Sequence, residues 1–207
     1  QPAASERQRR ADVVIDDAVR WLDTVGDSRF FMWAHLYDAH RPYDAPEPFR
    51  SRYANDPYIG EIAFMDHEIG RLISALERRH LMNRTVIVIA GDHGESLGDH
   101  GEADHGVFVF ESVMHVPLMI RWPASLGSTL TPGTVRDDLV SFVDLAPTVL
   151  AVAGIGIPSH MQGRVLVGPN AGPVPPFVFA ARDRMDIEYD MMRSARDAAA
   201  RGAGIVV

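Results

Sequence analysis

Across residues 11–25 the apolar positions Val14, Ala18, Trp21, Leu22 and Val25 fall three or four apart, which puts them on one face of a predicted helix that Gly26-Asp27 ends. Phe30-Phe31-Met32-Trp33-Ala34 is a nearly unbroken apolar run of strand length, as expected of a strand covered on both faces in a parallel sheet. A second helix is predicted over residues 58–80. Ile59, Ile62, Ala63, Ile69, Leu72, Ile73 and Leu76 form its apolar side, with Glu61, Glu68, Arg71 and Arg78 opposite. It leads into the β-branched run at 85–90. Further strands are predicted at 116–122 and 177–181, a helix at 138–153, and a Gly/Pro-rich connection at 168–176. Alternating helices and apolar strands point to an α/β layered fold with a mostly parallel sheet, helices on both of its faces, and its working edge beyond the carboxyl ends of the strands. That rule selects two places for chemistry: the loop after Trp33 and the loop after Ala90.

With 207 residues, 46% of them hydrophobic and 23% charged, the chain can bury a sizeable core as one domain or as one and part of another. Twenty Lys and Arg against 28 Asp and Glu give a net charge of −8, which argues against a broad electropositive face for nucleic acid while leaving room for a local basic pocket. Cysteine is absent, so a disulfide scaffold, a thiolate zinc site and a cysteine nucleophile all drop out. The stretch 139–157 approaches membrane-spanning length, but Asp144 and Pro147 within it make a buried helix the better expectation. The chain starts at Gln1 and runs into a charged segment with no export signal in view, so it reads as an excerpt.

The loop at 91–106 holds three histidines and five carboxylates among glycines. At a strand end this mixture supplies anionic and neutral donors for a divalent cation, and the glycines let the backbone bend around it. A solvated polar loop has the same composition, and both readings stay open on the residues alone. The other loop carries His35, Asp38, His40 and Arg41, then Pro42, Pro46 and Pro48, whose fixed φ angles stiffen it. By itself His40 has the character of an ordinary surface histidine, and His35 that of a packed core histidine.

Four ordered segments carry a resemblance. They are Phe-Phe-Met-Trp-Ala-His-Leu-Tyr-Asp-Ala-His-Arg-Pro-Tyr at 30–43, Gly-Glu-Ile-Ala-Phe-Met-Asp at 60–66, Gly-Asp-His-Gly-Glu-Ser-Leu-Gly-Asp-His-Gly at 91–101 and Val-Pro-Leu-Met-Ile at 116–120. Together they resemble the carboxyl-terminal half of a sulfatase catalytic domain, in the alkaline-phosphatase-like superfamily. The likeness continues through 140–148 and Met161-Gln162-Gly163-Arg164, and 181–190 is similar to sulfatases acting on sulfated sugars. It implies a partial layered domain over residues 1–168, with a linker and the start of a small carboxyl-terminal subdomain over 169–207.

The resemblance implies roles for particular residues. Asp92 and His93 match the family's carboxyl-terminal pair of metal ligands. His40 matches the histidine that contacts the sulfate group, and His105 stands where many members place a lysine on that same group, which makes His40 and His105 the catalytic and substrate-binding candidates. The donor types alone lean towards zinc or manganese, whereas the resemblance implies Ca2+. Glu95, Asp99 and Glu102 are expected to be solvated charges ahead of groups supporting the ligands, and Asp66 a helix cap or packing partner. The family attacks with a formylglycine made from the Cys or Ser of a Cys/Ser-x-Pro-x-Arg signature, and no such signature occurs in the 207 residues. The expectation is therefore a sulfuric ester hydrolase lacking its amino-terminal half, inactive and prone to aggregate as an isolated chain, with a frame slip near Asp197. Its substrate would be a sulfated small molecule or sugar. Two rivals remain: a phosphate mono- or diester hydrolase of the same superfamily, and a non-catalytic metal- or sugar-binding remnant. Analogy suggests a periplasmic or extracellular setting, and the oligomeric state is not legible.

Overall fold

In the computed structural model, residues 9–105, 108–127, 131–175 and the backbone of 205–206 are described. They belong to two compact units, one containing residues up to Ser28 with Met32–Met82, the other Arg29–Phe31 with the chain from Asn83 onward.

In the first unit α1 (Ala11–Val25) buries Ala11, Ile15, Ala18, Leu22 and Val25, a stripe of three- and four-residue steps. Ile15 takes the place expected of Val14, and Trp21 stays 41% exposed. No side chain of Arg10 caps the helix. Instead the carboxylate of Asp38, from the following loop, accepts the Ala11 N–H at 2.8 Å. After α2 (Phe49–Arg52), the long α3 (Pro57–Arg78) opens on Asp56, whose side chain accepts from Ile59 N–H, with Pro57 at the first turn, where a missing N–H costs nothing. α3 packs against α1, and Arg71 reaches Asp16 at 2.5 Å across that contact. Ala11, Ala45 and Phe64 centre a core closed by Leu36 and Phe49.

The polar side expected of α3 is only partly polar in position. Glu61 and Glu68 are buried, while Ile59 is 40% exposed. Glu68 pairs with Arg71 one turn on, and Glu61 accepts the Asp44 backbone N–H of the preceding loop.

In the second unit β1 (Val86–Ala90) pairs antiparallel with β2 (Leu118–Arg121) and parallel with β3 (Ile205–Val206), in the order β2-β1-β3. The described sheet thus combines one pairing of each kind. Val86, Ile87 and Val88 are buried in succession, so β1 is covered on both faces as its continuous apolar run requires. Val86 and Val88 pack with Leu145, Leu166 and Val167. Between β1 and β2 lies the single turn α4 (Glu111–Met114).

The helix expected from 138 begins later, with a 3₁₀ turn at Phe142–Asp144 that leads into α5 (Leu145–Ala153). Asp144 sets this start: one carboxylate oxygen accepts Ser141 N–H at 3.0 Å and the other accepts Arg164 N–H at 2.8 Å. The run at 30–34 is not a strand among the described residues; it has one bridge residue, Met32. The strand expected at 177–181 lies outside the described residues.

Candidate active site

The loop beyond β1 is fastened at two points. Gly91 N–H donates to the Pro117 carbonyl at 3.2 Å, and Gly94 N–H to that of Val113 at 2.7 Å. A Cβ at Gly94 would collide with the backbone carbonyl of Ser112, so glycine is needed for this close approach. Between the two fastenings Asp92 and His93 are held out at the surface.

Their geometry suits a cation. Asp92 Oδ1 accepts the His93 backbone N–H at 2.9 Å, which fixes the carboxylate, and Oδ2 stands 3.9 Å from His93 Nε2. Two ligands about 2.3–2.6 Å from one Ca2+ can span such a gap. His93 Nδ1 lies 2.8 Å from the Gly94 carbonyl oxygen. That oxygen only accepts, so Nδ1 donates, and Nε2, on the side of the Asp92 carboxylate, is the nitrogen that could ligate a cation.

His105 comes to the same place: its ring stacks on that of His93 with centroids 4.0 Å apart and planes 29° from parallel. Its Nδ1 faces Glu95 at 3.3 Å and Asp104 at 3.0 Å. Glu95, Asp104 and His105 bring donor atoms within 4.8 Å of one another, a spacing that would also admit a metal. The proton on Nδ1 matches the two carboxylates directly, however, so the trio works as a charge-assisted hydrogen-bonded set.

Glu95 is not the solvated charge expected of it. Its side chain is 4% exposed beside His105. Glu102 is buried as well, and it accepts from Ser96 Oγ at 3.5 Å and from the Phe108 backbone N–H at 3.4 Å. Asp99 does remain in solvent. A polar loop that folds back on itself must bury some of its carboxylates against its own donors, and composition does not tell which.

His40 belongs to the first unit and is placed there by the loop between α1 and α2. Its Nδ1 is 2.8 Å from the Arg41 carbonyl oxygen, which only accepts, so Nδ1 donates. The ring leans on Tyr37, with centroids 4.6 Å apart. His35 is exposed, not packed in the core, and Asp66 is exposed on α3, not a packing partner.

Sequence reasoning missed Glu61, which lies under this loop. Its Oε1 accepts the Asp44 backbone N–H at 2.7 Å, and burial raises its pKa above the usual carboxylate value against the pull of the Asp44 and His40 amides. Burial likewise raises that of Asp38, against its hydrogen bonds to backbone amides. Helical spacing held the signal for Glu61: counted from Phe64, Leu72 and Leu76, positions 61 and 68 fall on the buried stripe.

The family model described as Sulfatase matches residues 5–155. The chain is 34% identical over 139 residues to the ulvan-active sulfatase of Formosa agariphila, covering 67% of this chain and 21% of that protein. To the N-acetylglucosamine-6-O-sulfatase of Bacteroides thetaiotaomicron it is 36% identical over 126 residues, covering 60% and 22%. It thus spans about a fifth of the length of these curated relatives. The solved structure of Ps i-CgsB in complex with k-i-k-neocarrahexaose superposes with a TM-score of 0.64 at 24% identity, over 75% of this chain and 37% of that one, a likeness of fold. The family model covers more than half of the chain, and the identity to the Formosa sulfatase agrees with it: the chain belongs to the sulfatase family.

Proposed function

We propose that this chain supplies the cation-holding and ester-contacting residues of a sulfuric ester hydrolase acting on a sulfated carbohydrate. Asp92 and His93 ligate a divalent cation, Ca2+, and His40 and His105 contact the sulfate group. The observation that carries this is the Asp92–His93 pair, a fixed carboxylate beside an imidazole whose backbone hydrogen bond leaves Nε2 as the ligating nitrogen. When bound, the cation neutralises the ester's oxygens and orients the attacking group. His105, its Nδ1 held by Glu95 and Asp104, is set to stabilise negative charge on the sulfate oxygens or on the departing alkoxide, and for His40 a sulfate contact means that a ring N–H donates to a sulfate oxygen. Relatives named for ulvan and for N-acetylglucosamine 6-O-sulfate support a carbohydrate as the leaving group.

The nucleophile, a formylglycine from a Cys/Ser-x-Pro-x-Arg signature, stands outside these 207 residues. Residues 1–207 alone are then inactive, since one well-placed donor is worth about 3–4 kcal/mol against the roughly 8–23 kcal/mol of enzymatic barrier lowering. In the same reading residues 1–168 form part of the catalytic domain, 169–207 a linker and the start of a subdomain, and the enzyme works in the periplasm or outside the cell. No helix among the described residues is long and apolar enough to cross a membrane. The test is aryl sulfate hydrolysis by a chain extended upstream to include the signature. Turnover that EDTA and Asp92→Ala abolish, and that residues 1–207 alone do not show, is the expected result. Turnover by residues 1–207 alone, or preference for an aryl phosphate, overturns the reading.

A further inference from the structure

The loop at 38–44 carries His40 but belongs to no strand, so its backbone N–H groups need acceptors from elsewhere. Two carboxylates, one half-buried and one buried, provide them or tie the loop down. Asp38, at its start, accepts the Ala11 N–H at the head of α1. Glu61, from the core face of α3, accepts Asp44 N–H at 2.7 Å, and the His40 amide also stabilises its ionised form. The other oxygen of Glu61 is buried with no hydrogen-bond partner among the described residues. For packing α3 alone an apolar side chain at 61 would serve better, since a buried carboxylate costs stability unless its partners compensate. What the acid adds is an acceptor that holds the loop at Asp44, just past the Arg41-Pro42-Tyr43 segment.

We infer that Glu61 is a positioning residue: by holding the Asp44 amide it fixes the loop backbone and so the place from which His40 presents its ring. The relevance of this to catalysis rests on the ester-contact reading of His40. Gly60, next to Glu61, brings α3 close to the segment following the loop, since a Cβ there would stand 3.3 Å from Tyr53 Cβ and 3.8 Å from Ala45 Cβ. The grip therefore works at short range.

The test uses residues 1–207 as wild type, Glu61→Ala and Glu61→Gln, with two readouts by NMR. The first is amide hydrogen exchange at His40 and Asp44 compared with Leu72 and Leu76 on α3. The second is the His40 ring resonance, which the neighbouring Tyr37 ring shifts. In Glu61→Ala, exchange at His40 and Asp44 should quicken at least tenfold with Leu72 and Leu76 unchanged, and the ring resonance should move to an unshielded value. Glu61→Gln, which keeps an acceptor oxygen, should restore both. Unchanged exchange at the two amides in Glu61→Ala, or equal acceleration along α3, overturns the inference. If Glu61→Ala does not fold, Glu61→Gln still decides: wild-type exchange and ring position support the grip, and tenfold faster exchange at the two amides refutes it. Titration of the upstream-extended chain, supplied with Ca2+, with inorganic sulfate tests the ester-contact reading separately. An unmoved His40 resonance there sinks that reading, while the exchange result still decides the role of Glu61.

Discussion

Single side chains, and in one place the lack of one, set the candidate site. At Gly94 a methyl group would run into the Ser112 carbonyl, which is backbone and cannot swing aside. Gly94→Ala should therefore cost about 1–3 kcal/mol and displace the Asp92–His93 turn. Thermal unfolding together with the His93 amide resonance checks this, and a variant that melts like wild type would show that the close approach is absent. Thr148 offers a second case. Its hydroxyl, 2% exposed, donates to the Asp144 carbonyl at 2.7 Å and accepts the Leu166 N–H at 2.9 Å. Thr148→Val keeps the shape but leaves that N–H buried without an acceptor, a loss of about 1–3 kcal/mol measurable by urea unfolding. The loop at 91–106 was conspicuous in the sequence for its carboxylates and imidazoles at a strand end, and the family resemblance singled out Asp92, His93 and His105 within it. Glu95 and Glu61 were not legible, because a carboxylate looks the same in sequence whether it meets water or a buried N–H.

The helices were the most legible elements, and burial periodicity explains why. α1 ends where Gly26 adopts φ 57°, and α3 starts where Asp56 and Pro57 supply a cap and a compatible first turn. That start is testable: Asp56→Ala removes the oxygen that accepts Ile59 N–H at 3.2 Å and should cost about 1 kcal/mol. A variant with unchanged stability in denaturant would mean that the cap is replaced by water. The apolar run at 30–34 was misjudged as a strand for the opposite reason. A helix satisfies its own backbone, whereas a strand exists only beside a partner, and hydrophobicity alone does not reveal the partner. α5 was placed correctly in kind but begins seven residues later than expected, because Asp144 ties Ser141 and Arg164 together at its head. That tie joins residues 20 apart in sequence, beyond the reach of any local pattern.

For the chain as a whole, the burial of ionisable groups predicts how stability follows pH. Asp38 and Glu61 both have pKa values raised above 3.8 and 4.5 respectively, mainly by burial. In that state the folded chain binds more protons than the unfolded one through the window above those values, so stability falls as pH rises there. Their favourable contribution is complete below the unfolded values and is lost as pH climbs through the raised folded ones. The lowered pKa of Asp17, caused mainly by its hydrogen bond to Arg9, acts in the other direction, but that group is fully exposed and screened by solvent. The net charge of −8 adds self-repulsion that also eases on acidification, so wild-type unfolding alone would not separate the effects. Glu61→Gln does separate them. It removes one titrating group, keeps an acceptor and alters the net charge by a single unit. Melting temperatures of wild type and Glu61→Gln should draw together near pH 4.5 and diverge as pH rises to 7, with the wild type the less stable partner at the upper end. A difference that stays constant, or that favours wild type at neutral pH, would mean that the loop amides offset the cost of burying the ionised carboxylate.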